Sequence, residues 1–301
     1  MQPHAQRLQW SSVVRLCRPR QWLKNLLVAT APLAAGILWQ TDVAWRVVVL
    51  FAILCAVSSA GYIVNDIKDL SYDQGHPDKR HRPIASGEVA VSLATTLACM
   101  LTVVAIVLTL SVFGAAVCAG VIGYVVISWS YSLGLKRVAG VEMLLVASGF
   151  VARAVIGGLG TDTRLSTWFL LFIGVSALFI VAGKRLSELL RIDQVESVTT
   201  EVRRALRRYT PDYLRAIAWL SAAVAIGSYA VWALTRGVHE NEPLLLLVSA
   251  LPLSACFVRY MTLITSGRAE APEEALLKDR WVVVCALAWL VIFAMSVDIG
   301  S

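Results

Sequence analysis

Runs of about 20 predominantly apolar residues recur along almost the whole chain, separated by short polar segments. A helix of about 20 apolar residues spans the hydrocarbon core of a bilayer. The alternation over roughly ten-residue segments that marks a membrane β-barrel is absent from the sequence. The pattern therefore predicts an all-α fold, a polytopic membrane helical bundle of about nine transmembrane helices. Their approximate limits are Trp22–Trp39, Ala44–Val64, Val91–Val112, Ala115–Tyr131, Val141–Leu159, Thr167–Gly183, Tyr213–Leu234, Pro243–Ile264 and Trp281–Ile299.

The composition agrees with a membrane-embedded chain. Of the 301 residues, 58% are hydrophobic and the mean hydropathy is +0.70, whereas soluble domains are about 45–50% apolar. No change in composition marks a soluble domain, so residues 1–301 are predicted to form a single integral membrane domain. The six cysteines are scattered without a CxxC pair, and we interpret them as small hydrophobic residues rather than zinc ligands.

Lysine and arginine are distributed unevenly between the polar segments. If the N-terminus is cytoplasmic, 23 of the 27 basic residues lie in segments on the cytoplasmic side. This predicts a multi-pass protein of the cell (inner) membrane, with the N-terminus and two long loops, 65–90 and 184–212, in the cytoplasm. The net charge of +7 follows from this topology and suits the anionic headgroups of the lipid bilayer. Because the basic residues border membrane spans, we expect no nucleic-acid partner.

The candidate chemistry begins at the end of the second apolar run, in the segment NDIKDLSYD. Its metal-capable side chains are Asn65, Asp66, Asp69 and Asp73, and Asn65, Asp69 and Asp73 are spaced to share one face of a helix. Three carboxylates held close together near a membrane repel one another. A divalent cation would offset that repulsion, and oxygen ligands without cysteine or histidine favour Mg²⁺.

Basic residues gather near this acidic motif. Lys79, Arg80 and Arg82 follow within ten residues of Asp73, a combination that predicts a site for a metal-bound polyphosphate. The positive-inside rule alone would explain the basic charge but not its pairing with the carboxylates. Lys184 and Glu188 are four residues apart and could simply form a helix-surface pair. Further polar candidates on or near the same side are Lys24, Tyr131, Lys136, Arg153, Lys184, Arg185 and Glu188.

With these motifs in place, the chain resembles the UbiA superfamily of intramembrane prenyltransferases over nearly its whole length. The resemblance rests on NDxxDxxxD after the second span, RPxxxxK at the first and YSxxLKR after the fourth. The usual member has a second aspartate-rich motif after the sixth span, where this chain reads GKRLSELLRID. That departure, with HPDKRHRPIASG and GFVARAVIGG, resembles the phosphoribosyltransferase branch of the superfamily.

The resemblance implies an enzyme that transfers 5-phosphoribose from phosphoribosyl diphosphate (PRPP) to decaprenyl or another polyprenyl phosphate, for cell-wall arabinan synthesis. It makes Asp66, Asp69, Asp73 and Lys24 the candidate catalytic residues, with Mg²⁺ as cofactor. The basic candidates above would bind the substrate phosphates. The sequence leaves open which of them bind the 5-phosphate of PRPP and which bind the lipid phosphate. It also leaves open the prenyl chain length and whether the protein is a homo-oligomer. Two alternatives stand beside this reading: prenyl transfer from a prenyl diphosphate to a small or aromatic acceptor, and transport of an anion.

Overall fold

The computed structural model describes residues 10–77, 79–192, 208–240, 243–266 and 278–296. Regular structure in these ranges is entirely helical. Three 3₁₀ helices span Pro19–Ala29, Lys79–His81 and Leu135–Arg137, and the first is termed the 3₁₀ segment below. The α-helices are α1 (Trp10–Cys17), α2 (Thr30–Ala34), α3 (Thr41–Lys68), α4 (Leu70–Gln74), α5 (Val91–Phe113), α6 (Ala115–Leu133), α7 (Val141–Gly160), α8 (Thr167–Ile192), α9 (Pro211–Glu240), α10 (Pro243–Val248), α11 (Ala250–Thr265) and α12 (Arg280–Ser296).

The structure confirms an all-α membrane fold. Within the described ranges, seven helical segments are long and apolar enough to cross a membrane, and they correspond to the second through eighth predicted spans. The ninth corresponds to α12, an apolar helix of 17 residues. The expected count of nine spans is therefore not confirmed. Apolar side chains such as Val103, Val104 and Val107 of α5 are exposed, as expected for a lipid-facing surface.

The first predicted span, Trp22–Trp39, is not a continuous α-helix. The chain follows the 3₁₀ segment to Ala29 and α2 to Ala34, and then turns at Gly36, where φ is +75°. Pro32 lies inside α2 and has no N–H to donate. Asn25 is fully buried and donates from its amide to Ser58 Oγ at 3.1 Å and to Cys55 Sγ at 3.3 Å. A proline and a buried amide that bonds to α3 both work against one regular helix here.

The chain forms two compact units. The first comprises the described residues of Met1–Ala31, Thr41–Val138 and Ala152–Thr163. Leu54 and Val57 of α3 are buried there with Val121 of α6 and Ile156 of α7. A second apolar cluster joins Ile63 of α3 to Ile84 and to Ala94 of α5, so the polar loop 65–90 is fixed to the helices on either side of it.

The second unit comprises the described residues of Pro32–Gln40, Ala139–Val151 and Arg164–Ser301. Its core joins α8, α9 and α11 through buried residues that include Phe179, Ala218 and Phe257. Because α8 continues to Ile192, the beginning of the predicted loop 184–212 is helical. Residues 193–207 of that predicted loop lie outside the described ranges.

Candidate functional site

The acidic motif lies where α3 ends and α4 begins, in the first unit. The backbone keeps the helical spacing, because Asp69 N donates to Asn65 O at 2.9 Å and Asp73 N donates to Asp69 O at 2.8 Å. The Asn65 amide donates to Asp69 Oδ2 at 3.1 Å. The side chains of Asp66 and Asp73 are almost fully buried, at 2% and 1% exposed, whereas that of Asp69 is 21% exposed.

Each carboxylate of the motif is bound to a cation. Arg82 Nη1 donates to Asp73 Oδ2 at 2.7 Å and to Asp66 Oδ1 at 3.1 Å. Arg18 forms a second ion pair with Asp66 Oδ1. Lys136 Nζ donates to both Asp69 oxygens at 2.6 Å and to Asn65 Oδ1 at 2.9 Å. Three cations thus balance three carboxylates.

One oxygen of the motif has no such partner. Asp73 Oδ1 is buried and receives no hydrogen bond from the described residues. Burial raises the pKa of this carboxyl above its usual range, and Arg82 opposes that shift. Within the described ranges, no three His, Cys, Asp or Glu side chains are grouped to hold a metal ion. The oxygen donors of the motif nevertheless fit Mg²⁺, for which the buried unpartnered oxygen of Asp73 would be one ligand once cations had left the other carboxylates.

The other basic candidates of the loop 65–90 border this motif in sequence. Lys79 Nζ lies 4.9 Å from the centroid of the Tyr72 ring, a cation–π contact. Arg80 is exposed and its Nε donates to His81 Nε2 at 3.3 Å. The loop is tied to α1, because Ser12 Oγ donates to Glu88 Oε2 at 2.5 Å. That bond lowers the pKa of Glu88 despite partial burial.

Arg153 of α7 lies in a buried polar network and is only 6% exposed. Its Nε donates to Asn25 Oδ1 at 2.8 Å, and its Nη2 donates to Tyr124 OH at 2.7 Å. The guanidinium also lies over the Tyr124 ring, 4.6 Å from the centroid. The network therefore connects α7 to the 3₁₀ segment, which carries the half-buried Lys24 one residue before Asn25. Tyr131, near the end of α6, is half-buried as well.

The remaining candidates belong to the second unit. Arg185 of α8 pairs with Glu142 at 2.5 Å and with Glu188 at 2.7 Å. Lys184 Nζ lies 3.9 Å from Glu188, so the helix-surface pair considered from the sequence is present. Tyr209 OH donates to Glu142 at 3.3 Å. Two carboxylates thus accompany the basic pair in α8.

Arg18 and Asn25 were not among the site residues predicted from the sequence. Arg18 pairs with a residue 48 positions away, and Asn25 with one 128 positions away, and no local pattern reveals such partners. The available signals were an arginine directly before Pro19 and a polar amide within an apolar run.

An apolar groove of about 500 Å³ lies in the same unit as the acidic motif. It is lined by residues of α1, the 3₁₀ segment, α3 and α5, among them Trp10, Trp22, Ala56 and Leu101. Cys17 also lines the groove and directly precedes Arg18, which forms an ion pair with Asp66 of the motif.

The sequence of this chain is similar to those of known membrane transferases. Residues 26–284 match the UbiA prenyltransferase family. A decaprenyl-phosphate phosphoribosyltransferase from Mycolicibacterium smegmatis is 39% identical over 93% of this chain and 90% of that protein. The enzyme of the same name from Mycobacterium tuberculosis is 37% identical over 96% of this chain and 95% of that protein.

Solved structures share the fold at lower sequence identity. A UbiA homologue from Archaeoglobus fulgidus, bound to DMAPP and Mg²⁺, has a TM-score of 0.70 with 15% identity, over 94% of this chain and 99% of that one. A UbiA homologue from Archaeoglobus fulgidus bound to GPP and Mg²⁺ has a TM-score of 0.67 with 16% identity, over 96% of this chain and all of that one.

Proposed function

The chain belongs to the UbiA prenyltransferase family, and we propose that it is a Mg²⁺-dependent phosphoribosyltransferase of that family. It transfers 5-phosphoribose from PRPP to a polyprenyl phosphate, with decaprenyl phosphate as the expected acceptor, and releases diphosphate. The observation that carries this assignment is 35–39% identity to decaprenyl-phosphate phosphoribosyltransferases over nearly the full length of the chain. As the family resemblance implies, the product would serve as a precursor of cell-wall arabinan.

The distribution of charge supports PRPP as the donor. PRPP carries a diphosphate and a separate 5-phosphate, and the acceptor brings a third phosphorylated group. The acidic motif suits the diphosphate, because its carboxylates can hold Mg²⁺. Where the usual family member has a second aspartate-rich motif, this chain has Lys184 and Arg185 beside Glu188. Cations at that position suit a phosphate that is bound without a metal.

The chain's own residues then divide into metal ligands and phosphate ligands. Asn65, Asp66, Asp69 and Asp73 would hold Mg²⁺, which when bound neutralises the developing charge of the diphosphate leaving group. Further groups would bind phosphate oxygens, as ammonium, guanidinium or hydroxyl donors of charge-assisted hydrogen bonds. These phosphate candidates are Lys24, Lys79, Arg80, Arg82, Tyr131, Lys136, Arg153, Lys184 and Arg185.

The reaction exchanges one bond at C1 of the ribose. The bond from C1 to the diphosphate oxygen breaks, C1 gains oxocarbenium character, and an oxygen of the acceptor phosphate attacks from the opposite face. A phosphate monoester has a second pKa of about 6 and is largely ionised at neutral pH, so no general base is required. Positioning and electrostatic stabilisation by the cations therefore account for most of the expected rate.

The apolar groove supports a lipid substrate. Its lining by Trp10, Trp22 and Ala56 offers an apolar surface to a prenyl chain, and it includes Cys17, which is next in the chain to Arg18. A prenyl chain in this groove would lie in the same unit as the acidic motif, with one wall of the groove next in the chain to Arg18, which pairs with Asp66. The groove would fit the prenyl chain of either substrate type, and the identity to decaprenyl-phosphate phosphoribosyltransferases favours the lipid as the acceptor and PRPP as the donor.

The same reaction supports a cytoplasmic active site in the cell membrane. We propose that the N-terminus and the loop 65–90 face the cytoplasm, where the positive-inside rule places 23 of the 27 basic residues. A cysteine introduced at the exposed Ser86 should react with a membrane-impermeant maleimide only in opened cells. Labelling in intact cells would contradict this topology and place the loop 65–90 outside the cell.

The proposed function is tested by following the ribose. Purified protein in lipid nanodiscs, given ribose-labelled PRPP, decaprenyl phosphate and Mg²⁺, should transfer the label to a lipid-extractable product. Asp69→Asn should lose this Mg²⁺-dependent transfer, whereas Asp162→Asn, the same change at an exposed aspartate, should retain it. Full activity of Asp69→Asn would contradict the metal assignment, and absence of transfer by the wild type would contradict the function.

A further inference from the structure

We propose that Arg18, Arg82 and Lys136 are exchangeable counter-ions of the acidic motif, and that Mg²⁺ and a diphosphate therefore bind to it cooperatively. The metal must displace cations from the carboxylates, and the diphosphate gives the displaced cations new partners. This inference rests on the proposed function, because it takes Mg²⁺ and a diphosphate as the ligands. It assigns Arg18, which sequence analysis did not select, to the same site.

The hydrogen bonds show why Mg²⁺ has to compete for its ligands. Lys136 Nζ lies 2.6 Å from both oxygens of Asp69 and 2.9 Å from Asn65 Oδ1, so one ammonium engages two of the four predicted metal ligands. Arg82 bridges Asp66 and Asp73. Asp73 Oδ1 is buried without a hydrogen-bond partner among the described residues, whereas the other carboxylates are engaged by cations, so a metal gains those carboxylates only if the cations move.

The charge balance makes the two ligands depend on each other. Three cations neutralise three carboxylates, and the Asp66 and Asp73 side chains are almost completely buried. Mg²⁺ alone would add two positive charges among three cations, and a diphosphate alone would approach three carboxylates. When both bind, the carboxylates turn to the metal and the cations turn to phosphate oxygens, so neither charge is left uncompensated.

Arg18 combines an unusual backbone conformation with two side-chain contacts. Its φ of 51° and ψ of 62° lie in the left-handed region, which residues other than glycine seldom adopt. The guanidinium lies over the Tyr62 ring at 5.2 Å from the centroid while it pairs with Asp66. Arg18 thus keeps an aromatic contact when it leaves Asp66, whereas Lys136, whose hydrogen bonds within the described ranges are all to Asn65 and Asp69, follows the turn at Gly134 in a short 3₁₀ helix. We expect Lys136 to be the cation that moves most readily.

The test measures metal binding without turnover. Mn²⁺ serves as the probe, and free Mn²⁺ is measured by electron paramagnetic resonance with full-length protein in nanodiscs. Titrations are run with and without methylenediphosphonate, and complex formation between the two probes in buffer is subtracted. For the wild type, we expect methylenediphosphonate to increase Mn²⁺ affinity about tenfold, within the usual range of coupling between sites.

Lys136→Met removes one counter-ion and so separates the affinity for Mn²⁺ alone from the coupling between Mn²⁺ and methylenediphosphonate. It should bind Mn²⁺ alone several-fold more tightly than the wild type and should lose most of the coupling to methylenediphosphonate. Arg137→Met is the matched control, with the same charge change at the next, exposed residue, and it should behave as the wild type. Lys136→Arg should keep the coupling, because it keeps the positive charge.

The outcomes distinguish this inference from the proposed function. Equal Mn²⁺ affinity of Lys136→Met and Arg137→Met, or unchanged coupling in Lys136→Met, would overturn the counter-ion exchange. If the wild type still transfers ribose from PRPP in that case, the proposed function stands and only this inference fails. Thermal unfolding of each variant, followed by tryptophan fluorescence, verifies that affinities are compared between folded proteins.

Discussion

The close approach of α7 to the 3₁₀ segment gives the sharpest test of how the site is positioned. At Gly157, a Cβ atom would collide with the backbone carbonyl oxygen of Val28 and would lie 2.8 Å from its carbonyl carbon and 3.0 Å from its Cα. Val28 is fully buried and belongs to the segment that carries Lys24 and Asn25. Gly157→Ala should therefore push this segment away from α7.

The magnitude follows from two opposing effects. Alanine is about 1 kcal/mol more favourable than glycine inside a helix. Overpacking a filled interior costs about 1–3 kcal/mol, and here no rotamer change can relieve the clash because the opposing atoms are backbone. We therefore expect Gly157→Ala to destabilise the protein by up to about 2 kcal/mol. A shift of about 1 Å at a catalytic group can cost about 100-fold in rate, so activity should fall more visibly than stability.

Gly123→Ala in α6 is the matched control, because a Cβ there meets nothing within 4 Å. It should be neutral or stabilising by up to about 1 kcal/mol and should keep full activity. Thermal unfolding and transfer of labelled ribose from PRPP would be measured for both variants. If Gly157→Ala retains wild-type activity and unfolds at the same temperature as Gly123→Ala, the position of the 3₁₀ segment does not depend on its contact with Gly157.

Three further variants test other parts of the first unit. Burial raises the pKa of Asp73, so the stability of the wild type decreases as pH rises through that pKa. Without Mg²⁺, Asp73→Asn should therefore unfold at the same temperature as the wild type at acidic pH and at a higher temperature at alkaline pH. A difference in unfolding temperature that does not change with pH would argue against this. Arg153→Met leaves Asn25 Oδ1 and Tyr124 OH buried without their donor, which should lower the free energy of unfolding by about 1–3 kcal/mol per group. An unchanged unfolding temperature of this variant would contradict that expectation. Ala56→Trp fills the apolar groove and should lower kcat/KM for a long polyprenyl phosphate more than for a short one, whereas an equal decrease would place the prenyl chain elsewhere.

Much of the fold follows from local sequence. The apolar runs identify seven of the predicted spans, because hydrophobic length is a property of the segment itself. The helical spacing of Asn65, Asp69 and Asp73 is also local, and the structure preserves it. The first predicted span is different, because the conformation of the 3₁₀ segment depends on the bonds of Asn25 to residues of α3 and α7.

The sequence predicted less of the candidate site than of the fold. The metal-capable residues stand together in one motif, but their cationic partners come from distant positions, such as Lys136, which lies 67 residues after Asp69. Charge patterning predicted that basic groups would be near the motif without identifying which carboxylate each one binds. Arg18 adopts a left-handed backbone conformation, which the sequence does not predict for an arginine.

The central claim is that PRPP is the donor and the lipid is the acceptor. The most direct measurement gives the purified protein ribose-labelled PRPP and, in the same mixture, a prenyl diphosphate with a different label, together with decaprenyl phosphate, an aromatic acceptor and Mg²⁺. We predict that the ribose label enters the lipid fraction with stoichiometric release of diphosphate, while the prenyl label stays in its donor. Transfer of the prenyl label to the aromatic acceptor, with no ribose in the lipid fraction, would contradict the account.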